Sequence, residues 1–136
     1  MQLPASIAIV RGSILNTSFE GIDHKKMFVI IGENDKSVFG FFFINSNINK
    51  YIQDRQVLLD MQCILKRANY PDILEYDSFL DCHEIKTFDK QTLIAGYDNG
   101  TIAHIGNLIE DDIEIVLSVC RNSPLFSEYE KRTFLK

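Results

Sequence analysis

The chain has no tryptophan, only three prolines and only three cysteines among its 136 residues. Cys63, Cys82 and Cys120 are odd in number, widely spaced and lack a Cys-x-x-Cys pair. That argues against a disulfide framework and for reduced, mostly buried thiols in a cytosolic, cytoplasmic protein. No metal site or cofactor is expected, since His24, His83 and His104 do not fall at ligand spacing from the cysteines. No apolar run approaches the ~18–20 residues of a bilayer-crossing helix, so no membrane partner is expected. Met1-Gln2-Leu3-Pro4 lacks the basic-then-apolar order of a secretory leader. Repeats, low-complexity tracts and linkers are missing too. The length then suits one domain, residues 1–136, with a core large enough to need no staples.

Net positive charge is also lacking. The formal balance is −5, which argues against a general nucleic-acid coat protein. Its distribution is uneven. Residues 1–70 carry eight Lys/Arg against six Asp/Glu, whereas residues 71–136 carry six against thirteen. A small cationic site therefore fits the N-terminal half, where His24, Lys25, Lys26, Lys50, Arg55, Lys66 and Arg67 lie. The plainer reading of those charges is a solvated face.

What the chain does have is β-forming sequence in residues 24–50. Met27–Gly32 is an apolar run rich in Val and Ile, and Val38–Ile44 is a second, interrupted by Gly40 where a barrel would bend. The polar stretch Glu33–Ser37 joins them as a hairpin. The first strand is reached through His24, Lys25 and Lys26, and the second leaves through Asn45, Ser46, Asn47 and Asn49. In an antiparallel pair these ends are neighbours. Phe39, Phe41 and Phe43 share one face of the second strand and Phe42 the other; one face is core, and the other is expected to serve as an interface or a base-stacking platform.

Elsewhere, Ile7–Ile14 reads as a first strand with Arg11-Gly12 as a turn or bulge, and Asn16–Asp23 as a loop able to flap over the hairpin's open end. Ser46–Asp54 suits a short helical turn, Gln56–Leu65 is strand-like, and Asn69-Tyr70-Pro71-Asp72 is a turn. Tyr76–Phe88 gives two short strands around Asp81–His83, closed by a turn at Asp89-Lys90. Asp98-Asn99-Gly100 is a turn before a brief strand, Thr101–Ile105. Then the period changes: Ile109, Ile113, Val116, Leu117 and Cys120 mark one face of a helix, opened by Glu110, Asp111 and Asp112 at its positive end. Leu125–Lys136 suits a second helix, with Phe126, Tyr129 and Phe134 as its apolar side. The expected class is mainly β, a small, strongly bent barrel with a C-terminal helix or two packed on it. His83 and His104 read as structural.

Several stretches resemble the MazF/PemK-type toxins of bacterial toxin–antitoxin pairs. Asp77-Ser78 precedes an apolar strand and then Ile85-Lys86-Thr87-Phe88-Asp89-Lys90-Gln91-Thr92-Leu93, similar to the family's "IRTIDK-x-RL" stretch. Ile105-Gly106-Asn107-Leu108 and the helix from about Glu110 are similar to its Ile-Gly-x-Leu and terminal helix. Lys26-Met27 before Phe28-Val29-Ile30-Ile31 stands where the family shows Arg-Pro and a "VVII" strand, and Ile44-Asn45-Ser46 stands for its "I-T-S". Arg11-Gly12 takes the place of a Gly-Asp opening the first strand. The likeness spans roughly residues 8–121. It implies an SH3-like barrel, a homodimer, and metal-independent endoribonuclease activity on single-stranded RNA, neutralised by a cognate antitoxin peptide in the RNA groove. In this chain the site Arg becomes Lys26, the site Thr becomes Asn45, and about five extra residues fall near Ala95–Gly100.

Metal-free RNA cleavage needs the 2′-OH deprotonated, the phosphorane charge held and the leaving 5′-oxygen protonated. Lys26 supplies a point charge where Arg would supply a fork. Strand alternation puts His24 on the face of Lys26, as acid or base, with Lys25 opposite. Ser46 completes the candidate catalytic set Lys26, Ser46 and His24. Lys25, Asn45, Asn47 and Lys50 are the candidate substrate-binding residues. The alternative is a catalytically degenerate barrel that binds RNA or a protein segment.

Overall fold

Pro4 fixes how the chain begins. Its carbonyl accepts from Ile7 N at 2.9 Å and Ala8 N at 3.0 Å, so Ala5–Ala8 forms a helical turn (α1) where a strand was expected. The chain turns at Arg11-Gly12, and only then does the first strand begin, Ser13–Thr17 (β1). The structure is a computed structural model and describes residues 3–17, 26–44, 54–83 and 85–135.

The hairpin forms as the apolar runs imply, from Lys26–Glu33 (β2) and Ser37–Ile44 (β3). Asn34 closes it, its Oδ1 accepting from Lys36 N and Ser37 N, both at 2.8 Å. Gly40 is where β3 changes partner. Its first half pairs with Lys86–Asp89 (β6), and its last residues pair with Ser78–Asp81 (β5), as in Phe43↔Leu80. A Cβ on Gly40 would lie 2.0 Å from the Val29 carbonyl oxygen, and the β2–β3 register shifts at the same level. Glycine is therefore required by a backbone approach at the bend.

The remaining elements are Gln56–Leu59 (α2), Gln62–Leu65 (β4), a 3₁₀ turn at Arg67–Asn69, Lys90–Asp98 (α3), Ala103–Asn107 (β7), Glu110–Arg121 (α4) and Glu128–Phe134 (α5). Strands β7-β1-β2-β3-β6 form a five-stranded antiparallel sheet, and β5 and then β4 extend from the last residues of β3. The molecule is thus a small mixed α/β protein, an antiparallel sheet with helices, rather than mainly β. Among the described residues the sheet does not close, since β4 and β7 are its two ends and do not pair.

The reason lies in how the sheet is covered. Ile14, Val29, Ile31 and Phe41 point into one core with Leu65, Leu80, and Val116, Leu117 and Cys120 of α4. Leu15, Phe28, Ile30 and Val38 point into a second core with Ala8, Ile9, and Leu93 and Tyr97 of α3. Neighbours along β2 therefore serve opposite cores, which is what an unbroken apolar run encodes. The second face, expected to be an interface, is thus covered by α1 and α3. The side chain of Phe42 lies outside the described residues.

Helix α3 is the main addition to the sequence reading. Asp89 does not close a turn with Lys90; its carboxylate accepts from Thr92 N at 3.0 Å and caps the helix. The extra residues near Ala95–Gly100 largely belong to this helix. The segment Gln56–Leu65 splits into α2 and β4, and the strand expected at Thr101–Ile105 runs from Ala103 to Asn107. Helix α5 carries a complete capping box between Ser127 and Glu130. Phe134 stacks on Phe39 with ring centroids 4.0 Å apart, but Tyr129, expected on the apolar side, is 65% exposed.

Candidate functional site at the open end of the hairpin

The hairpin's register determines which chain ends meet. Phe28 faces Phe42, so the start of β2 at Lys26 and the end of β3 at Ile44 share one end of the sheet. Two more strands converge there. Thr17, at the end of β1, pairs with Lys26, and Phe79 of β5 pairs with Ile44. The expected juxtaposition of the hairpin's ends is therefore built into four strands. Lys26 is placed at its strand position, while its side chain lies outside the described residues. His24, Lys25, Asn45, Ser46, Asn47 and Lys50 lie outside them as well, as does most of the loop Asn16–Asp23.

The chain matches no protein-family model and no curated protein.

The other histidines have partners. His83 Nδ1 is hydrogen-bonded to Asp81, whose carboxylate also accepts from Gln62 Nε2 at 2.9 Å. Asp81 ends β5 two residues beyond Phe79, so this pair sits away from the end where Lys26 and Ile44 meet. His104 Nε2 lies 3.3 Å from Asn107 Oδ1 on the surface. Among the described residues, no group of three or more His, Cys, Asp or Glu side chains is arranged to hold a metal ion. None of the described helices is long and apolar enough to cross a membrane.

Two buried polar groupings were not foreseen. Tyr70, read as part of a turn, donates its hydroxyl proton to Asp112 at 2.5 Å and accepts from Ile109 N at 3.1 Å. Burial first, and the bond to Asp112 second, hold its phenol well above the ordinary range. Asp112, placed by the sequence among the acidic residues that open the helix, is buried. Its neighbours Glu110 and Asp111 remain exposed. The second grouping is the cysteines, which share one core although 57 residues separate Cys63 from Cys120 in number. The buried-thiol reading holds for all three. A 42-residue separation hides the Tyr70–Asp112 bond from any local pattern.

A cleft of about 510 Å³ opens between Gln56–Asp60 and Asn122–Pro124. Among its described lining residues Asp60 is the only ionisable one, so it offers no acid–base pair.

Proposed function

We propose that this protein is a MazF/PemK-like toxin of a type II toxin–antitoxin pair, a metal-independent endoribonuclease acting on single-stranded RNA at the open end of the β2–β3 hairpin. The observation that carries the reading is the hairpin register, which brings the Lys26 end of β2 beside the Ile44 end of β3. The sequence then runs from each end directly into the candidate residues, His24 and Lys25 before Lys26, and Asn45 and Ser46 after Ile44. On the fold, the reading takes the bent β3, shared between two ladders, as the spine of an opened SH3-like barrel.

In this mechanism Lys26 holds the charge that develops on the phosphorane oxygens. Ser46 and Asn45 donate hydrogen bonds to phosphate or base edges, while Asn47, Lys25 and Lys50 steer the strand. His24 takes the 2′-OH proton or returns one to the 5′-oxygen; its ordinary pKa near ~6.5 suits both tasks. Attack of the 2′-oxygen on phosphorus releases the 5′-hydroxyl and leaves a 2′,3′-cyclic phosphate. A homodimer, and an antitoxin peptide that occupies the RNA groove, complete the reading.

The test is cleavage of a long single-stranded RNA by the purified chain in EDTA. Discrete fragments are expected, with Lys26→Ala and Ser46→Ala each lowering the rate by roughly 10²-fold, as loss of one transition-state donor does. Activity unchanged in both variants overturns the assignment. A second reading is favoured by Lys26 and Asn45 standing where the family has Arg and Thr. In it the same fold binds RNA or a protein segment without cutting. RNA retention with no fragments in the same assay selects it.

A further inference from the structure

We infer that Cys63 and Cys82 form a reversible redox pair that closes to an intramolecular disulfide when the folded protein meets a hydroperoxide. All three cysteines of the chain gather in one core from three separate segments. Cys63 lies on β4 and Cys82 directly follows β5. In the β4–β5 ladder Cys63 faces Leu80, and Cys82 N donates to the Met61 carbonyl at 3.0 Å. The two cysteines are therefore diagonal neighbours on the core side of one ribbon, with their sulfurs 3.8 Å apart. A bond requires the sulfurs to close to about 2 Å. Cys82 sits in the turn that follows the ladder, so the approach is asked of side-chain rotation and of movement in that turn.

Cys63 is assigned as the sulfur that reacts first, because it lies on the end strand β4 and keeps 5% exposure where Cys82 has none. Cys82 donates a hydrogen bond to Cys63 and lowers its pKa, against the opposing effects of burial and of Asp112. Burial raises the Cys82 thiol, as do its contacts with Cys120 and Cys63. Both sulfurs are buried, so the reaction requires local opening at β4, which ends the sheet and among the described residues pairs with no further strand. Such a strand opens locally more readily than a central one.

The chemistry balances as two displacements. The Cys63 thiol gives up its proton and its sulfur attacks one oxygen of hydrogen peroxide; an S–O bond forms, the O–O bond breaks, and the departing hydroxide takes up that proton and leaves as water. Cys82 sulfur then attacks the Cys63 sulfenic acid; the S–S bond forms, the S–O bond breaks, and a second water leaves. A small dithiol reverses the bond by exchange. This inference is independent of the ribonuclease reading.

The experiment treats the native full-length chain with hydrogen peroxide, then alkylates free thiols in denaturant and maps peptides by mass spectrometry. The expected product is a monomer lighter by two hydrogens, with the Cys63 and Cys82 peptides joined, Cys120 alkylated, and full reversal by dithiothreitol. Cys120→Ser is expected to keep the crosslink, and Cys82→Ser to leave a Cys63 sulfenic acid that dimedone traps. A crosslink that needs urea, a crosslink to Cys120, bonds only between molecules, or three thiols that stay free each overturns the inference.

Discussion

Tyr70 and Asp112 show how much one buried hydrogen bond is asked to do. The phenol joins the 3₁₀ turn at Arg67–Asn69 to the first turn of α4 by bonding both Asp112 and the Ile109 amide. Tyr70→Phe leaves the carboxylate buried without this donor and is expected to lower stability by about 1.5–3 kcal/mol in urea unfolding. The pH dependence has a definite sign. A phenol raised above its ordinary value of 10.0 contributes stability that is complete below pH 10 and is lost as pH climbs beyond it, because the unfolded state then binds fewer protons. Alkaline destabilisation from pH 10 upward should therefore be shallower in Tyr70→Phe than in the parent protein.

Secondary-structure elements are held at two points where backbone meets backbone or side chain meets cap. A Cβ at Gly32 would lie 2.4 Å from the Phe134 carbonyl oxygen, so α5 closes against β2 only because position 32 is bare. Leu135 is buried just beyond, and its carbonyl accepts from Arg121 Nε at 2.6 Å. Gly32→Ala is expected to cost about 1–3 kcal/mol and to make the α5 segment the first site cut in limited proteolysis. An intact C-terminal segment under the same digestion would remove this account of the glycine. At the other face, Asp89→Ala deletes the α3 cap and should cost about 1 kcal/mol in thermal unfolding. That loss would be felt by the second core, where Leu93 and Tyr97 pack against Leu15 and Val38.

For the whole molecule, charge distribution shapes what it binds. The chain carries −5 overall, with the excess of acid in residues 71–136 and a slight excess of base in residues 1–70. On the ribonuclease reading, phosphates are held at the open end of the hairpin, where the sequence gathers Lys25, Lys26 and Lys50. RNA affinity is then expected to fall with salt at a shallow slope, roughly −2 in log K against log salt, as for about three phosphate contacts on a single strand. Lys26→Ala should flatten that slope further, and a slope several times steeper would point to a broad cationic surface elsewhere.

Sequence by itself determined the hairpin, its turn, the helix from Glu110, the short strands around Asp81–His83 and the buried state of the cysteines. Each rests on local chemistry: apolar runs, turn residues, a 3.6-residue period, or the apolar character of a thiol. It also determined that the two ends of the hairpin meet, because antiparallel pairing allows nothing else. Only the tertiary structure decided that both faces of β2 are buried, that among the described residues the two ends of the sheet do not pair, and that Lys90–Asp98 is a helix. It likewise decided that Tyr70 reaches Asp112 and that Cys63 lies beside Cys82. Those facts depend on residues far apart in the chain being brought together by packing, and no local period or propensity carries that information.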